Sequence, residues 1–156
     1  NSYQLFPGKS YTKDPTVHVN EKSEDCWLFV KVENGIADLE ATEEMGETGY
    51  KKIATQITNN QWTALNGVAN VYYKEVAKTA PNRDYEVFGN FKIAGDGVVG
   101  GEKPEDYTGT DKYLGEYENA EIVVTAYAVQ KDGFNNAADA WTATFGKAST
   151  NSEETN

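Results

Sequence analysis

Any chemistry in this chain would have to come from carboxylates, because few other reactive groups are present. His18 is the only histidine, and one histidine cannot build a His-rich zinc site; no H-E-x-x-H occurs. Cys26 is the only cysteine, so no intramolecular disulfide can form. It has no clear base beside it in sequence and sits in Cys26-Trp27-Leu28-Phe29-Val30, which reads as a strand with the thiol serving as a small buried hydrophobe. There is no G-x-S-x-G, no P-loop and no dinucleotide fingerprint. Asp96, Glu102, Glu105 and Asp106 could together bind a hard cation such as calcium. They lack the D-x-[DN]-x-[DN]-G order, and a solvated acidic loop is the better reading. Nothing points to the paired carboxylates of glycoside hydrolysis. Trp27, Trp62 and Trp141, with ten tyrosines, could form a sugar-stacking platform, but each tryptophan lies in a patterned element and reads as core. The expectation is a protein without catalytic residues, cofactor or resident metal.

The 156 residues suit one domain with a real core, expected over residues 1–146, with a polar flexible tail at 147–156. The net charge is −11, from 25 acidic and 14 basic residues. That balance disfavours nucleic acid and anionic membrane surfaces and suits solubility. No window reaches the ~20 apolar residues of a membrane span, so no membrane insertion is expected. No signal peptide is visible at Asn1, and the chain is expected to begin after processing or inside a longer gene product. Composition does not choose between the cytosol and the exterior.

The elements that would position these residues are mostly strands. Glu121–Gln130, EIVVTAYAVQ, is β-branched and aromatic without Gly or Pro. Ile122, Val124, Ala126 and Ala128 would share one face; Val123, Thr125, Tyr127 and Val129 would share the other. Neither face is charged, which predicts a central strand covered on both sides, with Tyr127 and Val129 buried. Cys26–Val32 is a second covered strand, with Trp27 and Phe29 on one face. Asn66-Gly67 lies between two strand-like runs in Gln61–Val76 and predicts a two-residue hairpin turn with positive φ at both positions. Pro15 restricts its strand to an edge or to a start after it. Ile36–Gly49 reads as a solvated acidic connection, Tyr50–Ile57 is ambiguous between helix and strand, and Ala94–Tyr117 reads as a long exposed acidic loop. Phe134, Ala137, Ala138, Trp141 and Phe145 fall at helical spacing, with Asn135 or Asn136 placed to cap. The sum predicts an all-β fold, an antiparallel jelly-roll or Ig-like β-sandwich with one short C-terminal helix.

Several of these stretches together resemble one family. They are Pro7-Gly8-Lys-Ser-Tyr-Thr-Lys13-Asp14-Pro15-Thr-Val, Ser23-Glu24-Asp25-Cys-Trp-Leu-Phe-Val-Lys-Val32, Val71-Tyr-Tyr73, Val124-Thr-Ala-Tyr127-Ala-Val-Gln130, Asp132-Gly-Phe134 and Ala138–Trp141. Their order is similar to that of the TasA/camelysin-like proteins of Gram-positive bacteria, which are exported by a specialised signal peptidase. Ile36–Asn60 and Ala94–Asn119 are unmatched. The resemblance implies a jelly-roll sandwich that assembles into extracellular biofilm-matrix fibres, with itself or a related fibre subunit as partner. An N-terminal segment of one subunit would complete a sheet of the next by β-strand addition. The metalloprotease association of the camelysin name has no support here, because metal ligands are absent from the sequence. In relatives a hydrophobic strand precedes the P-G-x-x-Y-T-K-D-P motif, whereas only Asn1–Phe6 precedes it here. Tyr3, Leu5 and Phe6 are then the expected assembly residues. A carbohydrate-binding or adhesion module on the same scaffold is the alternative, with a glycan as ligand.

Overall fold

The computed structural model describes residues 4–146, and the expected tail lies outside them. Among these residues the elements are, in chain order, β1 (Ser10–Thr12), β2 (Thr16–His18), β3 (Cys26–Asn34), α1 (Ile53–Asn59), β4 (Thr63–Ala64), β5 (Val71–Val76), β6 (Asp84–Glu86), β7 (Asn90–Lys92), β8 (Val98–Val99), β9 (Lys112–Tyr113), β10 (Ile122–Gln130) and α2 (Ala137–Phe145). The chain is β-rich, with two short α-helices where one was expected. No helix among the described residues is long and apolar enough to cross a membrane.

The main sheet is antiparallel, in the order β10-β3-β5-β4. β3 is its centre. Phe29 and Val30 are wholly buried, and Cys26, Trp27, Leu28 and Val32 nearly so. Leu28, Val30 and Val32 face the larger core, with Val76, Leu39, Ile57, Phe88, Phe91 and Ile93. Trp27 and Phe29 face a second core, with Leu65, Val71, Ala137, Ala140 and Trp141. The central position expected for β10 belongs to β3, and β10 is an edge strand. None of its residues is buried, and Val123, Ala126, Ala128 and Gln130 are exposed. Tyr127 and Val129 are half-buried rather than buried. An uncharged strand looks covered from its side chains alone, whereas edge position depends on backbone pairing, which alternation does not report.

α2 covers the second core. Asn136 caps it, its side-chain oxygen accepting from the Asp139 N–H at 2.8 Å. Ala137, Ala140 and Trp141 turn inward, whereas Ala138, expected on this face, is exposed.

β1 and β2 are two parts of one strand, and β7 and β6 are two parts of its partner. Ser10 opposes Lys92 and His18 opposes Asp84 in one unbroken antiparallel register. Between them Lys13 donates to the Gly89 carbonyl at 3.0 Å, and Val87 donates to the Pro15 carbonyl at 2.8 Å. Pro15 has no N–H to return, so the ladder is interrupted there but not shifted. Leu39–Ala41 adds on the far side of β7 through Ala41 N–H to Lys92 and Ala94 N–H to Leu39.

Ile36, Leu39 and Ala41 are buried, so the connection after β3 is part of the core rather than solvated. Glu40 holds it to α1. Its Oε2 accepts from the Tyr50 hydroxyl at 2.7 Å and from the Ile53 N–H at 2.9 Å. Burial, reinforced by that carboxylate, pushes the Tyr50 hydroxyl well above its usual pKa. α1 ends in a Schellman motif: Trp62 N–H donates to Ile57 at 3.3 Å and Gln61 N–H to Thr58 at 3.0 Å. Gln61 therefore holds φ 73°, where glycine is the usual occupant. Gln61→Gly is expected to raise stability by ~0.5–1 kcal/mol, read as a higher urea midpoint at unchanged slope. A lower midpoint would show that the left-handed residue is not strained.

The expected hairpin between β4 and β5 is present, but its turn differs. Gly67 has φ 87° and Asn66 is not left-handed; the second positive φ falls at Asn70, 66°. Val68 N–H closes on Leu65 at 3.2 Å, so a positive φ at the third residue gives a type II pattern rather than the expected two-residue turn. The long acidic loop is also more ordered than expected. β8 pairs in parallel with β9, and Val98, Tyr113 and Leu114 are buried.

Candidate functional site

The feature that stands out is the outer edge of β10. Gly35 N–H donates to the Glu121 carbonyl at 2.8 Å, and Lys131 N–H to Asp25 at 2.9 Å, at the two ends of the β3–β10 register. Backbone groups alternate in direction along an antiparallel strand. The odd-numbered residues from Glu121 to Lys131 therefore turn their N–H and C=O toward β3. Ile122, Val124, Ala126, Ala128 and Gln130 turn theirs outward. Among the described residues nothing pairs with these outward groups. The edge carries no charge over nine residues. It also lacks the usual blocks to pairing, having neither Pro nor Lys along it.

Side chains leave room beside this edge. Ala126 and Ala128 are exposed on the larger-core side, so the facing ladder does not extend over them. On the α2 side Val123 is 39 % exposed and Phe145 42 % exposed. The Phe145 ring lies 4.8 Å from Tyr127 and 4.2 Å from Trp141. Apolar groups thus border the free backbone on both faces.

A groove of about 750 Å³ opens at the start of β10. Leu5, Lys13, Phe91, Leu114, Tyr117 and Ile122 line it. Of the expected assembly residues, Tyr3 lies outside the described residues. Leu5 is half-buried against the larger core, and Phe6 is 46 % exposed. Gln4–Phe6 forms no strand. The Tyr11 hydroxyl ties it down, accepting from the Phe6 N–H at 2.7 Å and donating to the Gln4 carbonyl at 2.9 Å. Pro7-Gly8 then turns the chain into β1, with Gly8 at φ 77°.

The other sequence candidates are not brought together as a site. Asp96, Glu102, Glu105 and Asp106 are all exposed, and no group of three metal-ligating side chains forms among the described residues. The loop is instead tied by β8–β9 pairing and by Gly115 N–H to Gly101 at 2.8 Å. Trp27, Trp62 and Trp141 are 7 %, 2 % and 8 % exposed, so they present no platform for a sugar. Cys26 is buried, and burial pushes its thiol pKa up, away from thiolate chemistry.

His18 stands at the β2–β6 margin with Nδ1 2.7 Å from Asp84 and Nε2 3.4 Å from Glu21. The Asp84 hydrogen bond is the main cause raising its pKa above 6.5. The fold therefore favours the protonated ring. The stabilisation is complete below the unfolded value and disappears as pH rises through the folded one. An NMR titration should place the midpoint above 6.5, and Asp84→Asn should lower it. A midpoint unmoved by that substitution would discount the contact.

Comparison with known proteins adds no assignment: no family model, curated protein or solved structure matches the chain.

Proposed function

We propose that this chain is a non-enzymatic structural subunit. It is secreted to the surface of a Gram-positive cell and built into a matrix filament by β-strand addition. On this reading the main sheet and the β1–β2/β7–β6 ladder are the two layers of a jelly-roll sandwich that lacks a strand. The observation that carries it is the free edge of β10, nine uncharged residues with outward N–H and C=O groups unpaired among the described residues. A strand laid there satisfies those groups and covers Ala126 and Ala128, so main-chain bonds give affinity and alternate side chains give fit. The V-T-A-Y-A-V-Q stretch of the TasA/camelysin-like resemblance lies within β10, and Lys13 of its P-G-x-x-Y-T-K-D-P stretch lines the groove that opens onto Ile122. The donor is an extended segment of another copy or of a related fibre subunit.

Negative-stain electron microscopy with hydrogen exchange tests this. Filaments are expected, with the amides of Ile122, Val124, Ala126 and Ala128 fast-exchanging in the free subunit and protected in the filament. A protein that never polymerises and instead binds on a glycan array would replace this reading with the carbohydrate-binding one.

A further inference from the structure

We infer that β10 also pairs with β10 of a second copy, in antiparallel register about a two-fold axis at Ala126, forming a closed dimer. The inference goes beyond the filament reading and stands on the edge alone.

The register follows from two independent constraints. The first is the backbone. Only the even-numbered residues from Ile122 to Gln130 face outward, so they must oppose one another to exchange bonds. With Ala126 opposite Ala126 of the second copy, Ile122 meets Gln130 and Val124 meets Ala128, and every outward group finds a partner. The second is charge. β10 is neutral, but Glu121 and Lys131 flank it as the first charged residues at either end. In this register, and in neither register two residues away, Glu121 lies opposite Lys131 of the second copy. The two-fold axis repeats that pairing at the other end. A shift of two residues places Lys131 opposite Val123 or Asn119 and leaves Glu121 without a cationic partner.

Side chains agree with this geometry. Glu121 and Lys131 are odd-numbered and lie on the α2 face, where Lys131 sits 5.3 Å over the Trp27 ring and pairs with Glu75 of its own subunit, a partner it would exchange for Glu121 of the second copy. Odd positions form the non-hydrogen-bonded pairs, in which side chains approach most closely. Val123 would then oppose Val129, and Thr125 would oppose Tyr127, both favourable cross-strand combinations. On the opposite face Ala126 meets its counterpart at the axis and Val124 meets Ala128 on either side, so nothing larger than valine holds the strands apart there. An isologous contact of this kind closes on itself and does not propagate. The dimer therefore occupies the edge that a filament would need, and holds subunits out of polymerisation.

Sedimentation velocity over a concentration series at low salt tests the proposal. The unaltered protein is expected to show a monomer–dimer equilibrium. Ala126→Pro removes an N–H that the subunit's own ladder does not use, so the fold should persist while the dimer is lost. Glu121→Lys sets two lysines opposite each other at both ends and should weaken the dimer about tenfold. Glu121→Lys combined with Lys131→Glu should restore most of that loss. Should Ala126→Pro fail to fold, the charge exchange decides alone. A protein monomeric at every concentration, or a dimer indifferent to Glu121→Lys, overturns the inference. Filaments that form with no dimer beforehand overturn it while supporting the filament reading. A charge-sensitive dimer that yields no filaments even when Glu121→Lys or dilution has released the edge supports it while ending that reading.

Discussion

Phe29→Ala is expected to cost ~3–5 kcal/mol, a large share of the ~5–15 kcal/mol available to a domain of this size. Phe29 is wholly buried in the central strand. Its ring lies 5.1 Å from Trp141 on α2 and 6.5 Å from Tyr73 on β5, while Tyr127 on β10 is its register neighbour. One side chain thus joins the helix to three strands. Its removal leaves a cavity that a β-sheet core cannot collapse to fill. Urea denaturation should show a midpoint far below that of the unaltered protein with a similar slope. A loss under about 1 kcal/mol would mean that α2 does not depend on this face for its docking.

The same residue shows what the sequence could and could not disclose. Hydrophobic runs placed β3 and β10 correctly, because each is long, β-branched and free of Gly and Pro. They could not rank the two strands, since centrality is a property of pairing. Cys26–Val32 has a lysine in it and still became the centre; EIVVTAYAVQ has none from Ile122 onward and became the edge. Alternation also missed the core role of Ile36 and Leu39. Those two residues are isolated among acidic neighbours, and their burial depends on Glu40 bridging to α1 across thirteen positions. The α2 cap was legible because an Asn before an alanine-rich amphipathic run has one obvious use. The Asn66-Gly67 turn was half legible: the pair marked a reversal, but loop length was set by where β5 begins to pair, at Val71. The candidate edge itself was visible as a stretch and hidden as a site. Its significance lies in unpaired backbone groups, which no side-chain pattern encodes.

Arg83→Met is expected to cost ~2–4 kcal/mol, and its consequence should reach the candidate edge. Arg83 is 7 % exposed, and among the described residues it forms no ion pair. Its guanidinium instead donates from Nη1 to Ala77 at 2.8 Å, and from Nη2 to Asn20 at 2.8 Å and Ser23 at 3.4 Å. These carbonyls belong to two connections, one from β2 to β3 and one from β5 to β6. Arg83 therefore clamps the turns through which the chain passes between the ladder and the main sheet. Met keeps much of the apolar stem but supplies no donor, so carbonyls that had charge-assisted bonds are left without them. Lys retains the charge but lacks the planar fork that reaches both connections, and Arg83→Lys should recover only part of the loss. The first of these connections ends at Asp25. Asp25 accepts from the Lys131 N–H at 2.9 Å, the bond that closes the far end of β10, and from the Lys78 N–H at 2.6 Å. Loosening the clamp should therefore fray β10 from Gln130 inward and shorten the edge available for pairing. Hydrogen exchange would show this as faster exchange at Val129 and Lys131, whose N–H groups face β3, with Val123 unchanged. Uniform acceleration along β10 would indicate global destabilisation alone, and a thermal midpoint within about 2 °C of the unaltered protein would remove the clamp from the account.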